Sequence, residues 1–272
     1  HPIIFKGLKS FTGKNYVERV VMKAIKNEIA LYAIHTNLDN VLHGVNMKIA
    51  DVIGLEKTRI LAPIKGRLQK LVTFVPSQFL NFVANALFDA GAGSIGNYDH
   101  CSFSSNGIGT FRANDKATPF VGDTGVDHGE DEKRLEVIIN DFNSSAVLNA
   151  LNEAHPYEEV AYYLQPTENS NQDIGAGMLG TLANPLSFND FLKHLKESMG
   201  LQYIKGTEPI KSMVKKVAIC GGSGSFLLQN AKAAKADVFI TADFKYHEFF
   251  DAENELTILD IGHYESERFT ID

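Results

Sequence analysis

Three predicted strands are each followed by a histidine and a carboxylate four residues apart. The pairs are His35 with Asp39, Asp243 with His247, and His263 with Glu267. Ligands of open α/β sheets bind at the carboxyl ends of strands, so three such pairs at one sheet edge would lie close together. Imidazole and carboxylate ligands suit Zn, Mn, Fe, Ni or Co, and a carboxylate can bridge two ions in a two-metal hydrolytic site.

The last of these pairs has two interpretations when it is taken alone. His263 and Glu267 fit either the solvated start of a helix or a metal site. Taken together with Asp39 and with His1, which precedes Pro2 and an apolar run, the metal site is favoured.

His35, Asp243 and His247, the other polar residues at these strand ends, each have two possible roles. His35 is either a residue that orients Asp39 for metal binding or a histidine satisfied within the core. Asp243 and His247 are either catalytic acid–base groups or a helix cap and its neighbour.

Glycine-rich and histidine-rich motifs elsewhere are weaker indications of chemistry. Gly175–Gly180 matches G-x-G-x-x-G but neither follows a predicted strand nor opens a helix, which argues against dinucleotide binding. Gly222-Ser223-Gly224 lies between a strand and a helix, where its amides would hold a phosphate or simply form a tight turn. His155-Pro156-Tyr157-Glu158-Glu159 favours packing at a helix-to-strand junction.

Composition limits the classes of function. The 272 residues carry a net charge of −7, which argues against nucleic-acid binding through a basic patch. Two cysteines without C-x-x-C spacing, Cys101 and Cys220, predict reduced thiols in a cytoplasmic protein. No apolar run is long enough to cross a membrane, and the start at His1 rather than Met indicates a trimmed sequence.

The elements that must position these residues begin with an α/β segment. Apolar spacing predicts a helix over 16–28 and a second helix over 44–53, which ends at Gly54. The apolar run Ile29–Ile34 between them predicts a buried strand that leads directly into His35.

Residues 68–166 have a different character, with strands and helices in the order βαββαβ. The predicted strands cover 69–75, 98–103 with 109–112, 135–140 and 160–164, and the helices cover 77–90 and 145–154. This order predicts an inserted ferredoxin-like α+β domain over 68–167. A polar, Gly-rich stretch over 118–133 is expected to be a loop.

The remaining chain returns to α/β alternation. Residues 167–181 are expected to be a polar linker, and a capped helix follows over 187–199. Strands at 216–220, 237–241 and 257–261 with helices between them predict a mostly parallel sheet with helices on both faces. The first domain is therefore discontinuous, with residues 1–67 and 168–272.

Several motifs together resemble a known family, the YqfO/YbgI-type or NGG one-interacting factor 3-like proteins, often labelled GTP cyclohydrolase I type 2 homologues. The resemblance lies in His1–Lys9 (HPIIFKGLK), His35–Asp39 (HTNLD) and Gly262–Glu267 (GHYESE). Gly96–Cys101 (GNYDHC) and His155–Glu159 (HPYEE) resemble the insert of longer members, which is similar to CutA or PII domains.

This resemblance implies a dinuclear site for two divalent metal ions in an α/β fold. The ligands that carry over are His1, Asp39, His263 and Glu267. A further family histidine would precede His1, and the family continues past His-x-x-x-Glu with a helix and a strand that this sequence lacks. The resemblance also implies a hexameric ring with the metal sites facing an internal cavity.

Two functions remain open from the sequence. The first is a metal-dependent hydrolase of a nucleotide-like or phosphorylated small molecule, with His35, Asp243 or His247 moving protons. The alternative is a regulatory, sensor or metal-binding scaffold protein that uses the PII-like insert, because no nucleophile motif such as G-x-S-x-G is present.

Overall fold

The computed structural model describes residues 2–271, and the side chains of residues 270 and 271 lie outside that description. His1 is therefore not among the described residues. The chain forms two compact units, the first from His1–Pro63 with Asp173–Asp272 and the second from Ile64–Gln172. The fold is α/β, as the sequence predicts, and each unit has its own sheet.

The first unit begins with three helices and a strand. These are α1 (Tyr16–Lys26), α2 (Thr36–Asp39), α3 (Val45–Ile53) and β1 (Leu55–Lys65). The side chain of Asn15 accepts a hydrogen bond from the Glu18 amide and caps α1. Gly54, at φ 76°, ends α3 in the left-handed conformation that glycine adopts without strain. Both predicted helices are confirmed.

The predicted buried strand Ile29–Ile34 is wrong. All six residues are exposed and have no strand conformation. The apolar run predicted burial, but a strand also needs a neighbouring chain to accept its backbone hydrogen bonds. No described segment pairs with it, so composition alone misassigned this stretch.

The second unit has the element order βαββαβ. It contains β2 (Leu68–Pro76), α4 (Leu80–Asp89), β3 (Ser102–Arg112), β4 (Asp127–Asn140), α5 (Ser144–Ala154) and β5 (Tyr162–Thr167), with 3₁₀ turns at Ser77–Phe79 and Asp141–Asn143. The strands lie in the order β3–β4–β2–β5, and every neighbouring pair is antiparallel. Alternate residues of the central strands, such as Leu71 and Leu135, pack against α4 and α5, and Leu151 of α5 belongs to the same core.

Two boundaries in this unit differ from the prediction. β3 is one continuous strand where two segments were expected, and β4 begins at Asp127, inside the stretch expected to be a loop. The start of β4 is polar because its side chains are largely exposed, so the alternation used to find buried strands is missing there.

The rest of the first unit alternates strands and helices. Its elements are β6 (Ser170–Ser187), α6 (Phe188–Met199), β7 (Lys205–Gly206), β8 (Met213–Ser223), α7 (Leu228–Ala233), β9 (Val238–Ala242), β10 (Thr257–Asp260) and α8 (His263–Glu267), with 3₁₀ turns at Ser225–Leu227, Tyr246–Ala252 and Arg268–Ile271. The predicted helix over 187–199 is confirmed, with Ser187 as its N-cap and left-handed Gly200 after its last turn.

The sheet of the first unit is mixed rather than mostly parallel. Its strand order is β1–β6–β8–β9–β10–β7. β8, β9 and β10 run parallel, whereas β6 pairs with β8 and β7 pairs with β10 in the antiparallel direction. The alternation of strands and helices correctly located the parallel centre, but β6 and β7 carried no apolar pattern that would reveal them.

Helices cover both faces of this sheet. α3 and α6 pack on one face, against side chains such as Val217, Ile219 and Ile240. α7 and the 3₁₀ turn at Tyr246–Ala252 pack on the other, against Ala218 and Phe239. Because successive strand residues alternate between faces, the strands are apolar throughout and their polar residues collect at the ends.

The expected polar linker over 167–181 is instead the greater part of β6. Its glycines reflect close packing rather than flexibility. A Cβ added at Gly177, whose φ is 68°, would lie 2.8 Å from the carbonyl oxygen of Ile219. At Gly180 it would lie 2.9 Å from the Cβ of Leu55. Glycine in a strand interior marks such close approach, and the G-x-G-x-x-G pattern here is part of a sheet.

Candidate metal site

The carboxyl ends of the parallel strands β9 and β10 bring three of the predicted residues into contact. β10 ends at Asp260, and Gly262 at φ 91° turns the chain into α8. α8 places His263 and Glu267 on one face, with 3.2 Å between Nε2 and Oε2. Asp243 follows β9, and its Oδ2 lies 2.5 Å from Nδ1 of His263. His263 is therefore held between two carboxylates.

The two carboxylates determine the protonation of His263. Burial favours the neutral ring, but the hydrogen bond that Nδ1 donates to Asp243 and the charge of Glu267 outweigh it, and the pKa of His263 is raised. Both carboxylates therefore favour the protonated ring. A ring held at Nδ1 by a carboxylate is the usual arrangement of a histidine that binds a metal through Nε2.

Asp39 lies at the end of α2, within electrostatic range of this group. Burial is the largest cause of its raised pKa, and the negative charge of Glu267 is the second. His35 and His263 partly offset the shift. The fold thus brings two carboxylates together at a cost that a bound cation would remove.

Asp260 fixes both loops that carry the site, and the sequence did not indicate this role. Its Oδ2 accepts a hydrogen bond from the Phe244 amide at 3.0 Å, next to Asp243. Its Oδ1 accepts from the Gly262 amide at 3.1 Å, next to His263. The only signal in the sequence was a carboxylate at the end of an apolar strand.

Asn46 was also missed, and it ties Asp39 to the sheet. It is buried in the first turn of α3. Its Nδ2 donates to the carbonyl oxygen of Asp39 at 2.9 Å, and its Oδ1 accepts from the Gly221 amide of β8 at 2.8 Å. The sequence did contain a signal for this role: Asn46 is a polar side chain among the apolar residues of α3, and a buried amide needs hydrogen-bond partners.

The glycine turn of β8 accommodates Glu267. A Cβ at Gly222 would overlap Oε1 of Glu267 and lie 3.5 Å from Cε1 of His263. The Gly222 amide donates to Ser266 Oγ at 2.9 Å, and that hydroxyl donates to the His263 carbonyl. The amides of Gly221 and Gly222 are therefore engaged within the protein and are not free to hold a phosphate.

The predicted residues do not all meet. His247 is exposed in the 3₁₀ turn at Tyr246–Ala252, and no hydrogen bond or ion pair among the described residues joins it to His263. His35 caps α2 at φ 46° and packs edge-to-face on Phe5 with 5.6 Å between ring centroids. The predicted ligand His1 lies outside the described residues.

The chemistry of the donors fits a divalent cation. The donors are the carboxylates of Asp39 and Glu267 and the imidazole of His263, and Zn, Mn, Fe, Ni and Co all bind such groups. Among residues 2–271, no three His, Cys, Asp or Glu side chains already stand in the arrangement of a metal site. His263 instead forms its ion pair with Glu267, the contact that a metal ion would replace.

Comparisons with known proteins show the family to which the chain is similar. The family model Duf34/NIF3 (NGG1p interacting factor 3) matches residues 1–272. A Bacillus subtilis protein named GTP cyclohydrolase 1 type 2 homolog is 41% identical over 266 residues, which cover 97% of this chain and 71% of that protein. A Halalkalibacterium halodurans protein of the same name is 38% identical over 265 residues, with 97% and 71% coverage.

A solved structure is similar over nearly the whole chain. It is described as a Bacillus cereus protein related to NIF3 and is 39% identical, with a TM-score of 0.83. The match covers 98% of this chain and 71% of the other. Over the part of the chain that the structure describes, no helix is both long and apolar enough to span a membrane.

Proposed function

The chain belongs to the Duf34/NIF3 family, and from this premise we propose that it binds two divalent metal ions and hydrolyses a nucleotide-like or phosphorylated small molecule. The observation that carries the proposal is the contact of His263 with Glu267 and Asp243, beside the β8 turn to which Asn46 ties Asp39. Two half-buried carboxylates at one strand edge are stable together when a cation lies between them.

Asp39, His263 and Glu267 are the proposed ligands, and His1 is the proposed fourth ligand by family resemblance. Zn, Mn, Fe, Ni and Co all accept this donor set. Asp243 holds the imidazole of His263 through Nδ1 and leaves Nε2 directed to the side where Glu267 lies.

A bound divalent ion lowers the pKa of its water to about 7 and so supplies a nucleophile at neutral pH. His35 stands at the start of α2, four residues before Asp39, and is the side chain to which we assign proton transfer. Asn46 holds the end of α2 through the Asp39 carbonyl oxygen. Asp260 holds the loop that carries Asp243 and the start of α8. These contacts would keep the ligands in position during turnover.

Both relatives are named GTP cyclohydrolase 1 type 2 homolog, so GTP is the first substrate to test for this chain. A net charge of −7 disfavours an anionic substrate in general, so the local cation would supply the attraction. A phosphorylated ligand therefore requires the metal for binding as well as for reaction.

The test compares Glu267→Gln with Glu265→Gln, since both remove one carboxylate from α8. We expect wild-type protein and Glu265→Gln to retain divalent metal by elemental analysis and to hydrolyse a member of a panel containing GTP, other nucleotides and sugar phosphates. Glu267→Gln should lose more than about tenfold in metal affinity, because a ligand is removed. Equal metal content in both variants would refute the site, and metal without turnover of any panel member would refute the hydrolase.

We further propose that the second unit is a ferredoxin-like domain comparable to CutA and PII, and that the protein is a cytoplasmic homo-hexameric ring. The strand order β3–β4–β2–β5 with α4 and α5 supports the first part, since it is that of a split βαββαβ domain. The hexamer follows from family resemblance, and native mass spectrometry would measure it directly.

A further inference from the structure

The second unit contains a cavity of about 450 Å³ that the proposed metal chemistry does not use. Small-molecule sites commonly have volumes of roughly 300–1,000 Å³. Its walls come from β2, β3, β4, β5 and the loops that precede β4 and β5. Aromatic side chains dominate these walls: Phe74, Phe111, Phe120, Tyr157 and Tyr163.

The aromatic wall is already assembled. Phe74 packs edge-to-face on Tyr163 with 5.7 Å between ring centroids. Tyr157 contacts both Phe111 and Phe120, at 6.2 Å and 6.1 Å. The rings therefore support one another, and a ligand would not have to order them.

The charged groups of the cavity are all negative. Glu132, Glu158 and Glu159 line it, and none of its lining residues is a lysine, arginine or histidine. Glu132 is only 7% exposed, and no ion pair between described residues includes it. A buried carboxylate without a cationic partner is costly, so the cavity favours a positively charged ligand.

A second polar group faces the same space. The hydroxyl of Tyr157 is buried in the cavity wall, and the Glu132 carboxylate is its hydrogen-bonding neighbour. Burial, followed by the adjacent Glu132 carboxylate, raises the pKa of Tyr157, so the hydroxyl stays protonated. An ammonium group beside this pair would fill the acceptor positions that remain on the carboxylate and on the hydroxyl oxygen.

Local hydrogen bonds hold the walls in place without adding positive charge. His155 is buried; its Nδ1 accepts from the Tyr157 amide at 3.1 Å, so Nε2 carries the proton and donates to the Phe74 carbonyl at 2.9 Å. Burial lowers the pKa of His155 and keeps the ring neutral. Glu158 accepts from the Thr118 amide at 2.8 Å and ties the loop before β4 to the segment before β5.

We propose that this cavity binds a small organic cation, an ammonium group attached to an aromatic or apolar body. The ammonium faces Glu132 and the Tyr157 hydroxyl, and the body lies among the aromatic side chains. Aromatic faces attract cations as well as apolar surface, so one set of walls serves both parts of the ligand.

Calorimetry on the full chain with two indole probes of opposite charge tests this. Tryptamine carries the ammonium, and indole-3-propionate presents the same ring with a carboxylate. We expect tryptamine to bind at least about tenfold more tightly, a ratio that corresponds to about 1.4 kcal/mol. Undetectable tryptamine binding, or equal binding of both probes, would overturn the proposal.

Variants then locate the probe. Glu132→Gln should weaken tryptamine binding at least about tenfold by removing the charge that faces the ammonium. Glu153→Gln, on the exposed face of α5, changes the net charge equally and should leave binding unaltered. Phe120→Leu, at a side chain that is 48% exposed, tests the aromatic wall if Glu132→Gln fails to fold. Unchanged affinity in a folded Glu132→Gln or Phe120→Leu protein would contradict the assignment.

Discussion

The carboxylates of the candidate metal site affect the pKa of Cys220, a buried thiol in the sheet. It is 5% exposed and lies on β8, just before the glycine turn. Burial first, and then the negative charges of Asp39 and Glu267, raise the pKa of its thiol to about 12. Burial and these two charges keep the Cys220 thiol in its neutral form at pH 7.

The raised pKa predicts that Cys220 resists thiol reagents. Only about one thiol in 10⁴ would be ionised at pH 8, and the thiolate is the reactive form. With Ellman's reagent at pH 8, the native protein should release one equivalent of chromophore, from the half-exposed Cys101, and a second only after denaturation. Because the ionised fraction rises only as pH approaches the raised pKa, the protection should persist from pH 7 to pH 9.

The matched control for this labelling experiment is Cys101→Ser. It should release almost no chromophore while folded and one equivalent in denaturant. Rapid release of two equivalents by the native wild-type protein would contradict the assigned burial and charge around Cys220.

Sequence alone found the side chains that meet at the candidate metal site better than the residues that hold their loops in place. His263, Glu267 and Asp243 were found because they follow strands that end at one sheet edge. Asp260 and Asn46 were missed because their partners are backbone amides and carbonyls of distant loops. Those partners are set by tertiary structure, and no local spacing encodes them.

At the scale of elements, prediction succeeded where a helix carries its own start and stop signals. α6 has a capping serine, an apolar face and a glycine in the left-handed conformation after its last turn. β6 has no such signals: it is rich in Asn and Gly, and its identity as a strand depends on the close approach of neighbouring strands. The same limit explains the error at Ile29–Ile34, where the pattern is apolar but none of the described segments pairs with it.

This interpretation of β6 predicts a large cost for Gly177→Ala. The added Cβ would meet the Ile219 carbonyl oxygen, and the left-handed backbone would add roughly 1–2 kcal/mol of strain. We expect the free energy of unfolding of the first unit to fall by at least about 2 kcal/mol in a urea titration followed by circular dichroism.

Gly107→Ala is the control, because Gly107 is also in a strand but has open space around its Cα. That substitution should change the stability of the second unit by less than about 0.5 kcal/mol. A Gly177→Ala protein as stable as wild type would mean that residues 167–181 tolerate side chains as a linker would.

At the scale of the whole molecule, the second unit is built so that its chain ends are neighbours. Leu68 at the start of β2 pairs directly with Thr167 at the end of β5. Cα atoms of such antiparallel partners lie about 4.5–5.5 Å apart. The unit also has its own core, while all described residues of the candidate metal site belong to the first unit.

Excision of residues 68–167, with Arg67 joined to Glu168 by a short Gly-Ser linker, should therefore leave a folded first unit. The linker would connect β1 and β6, which are neighbours in the six-stranded sheet. We expect the shortened protein to unfold cooperatively and to keep wild-type metal content by elemental analysis, because Asp39, His263 and Glu267 are retained. It should lose tryptamine binding completely, since every residue lining the cavity is removed. A folded product that has lost its metal would show that the second unit contributes to the metal site, and retained tryptamine binding would place that ligand elsewhere.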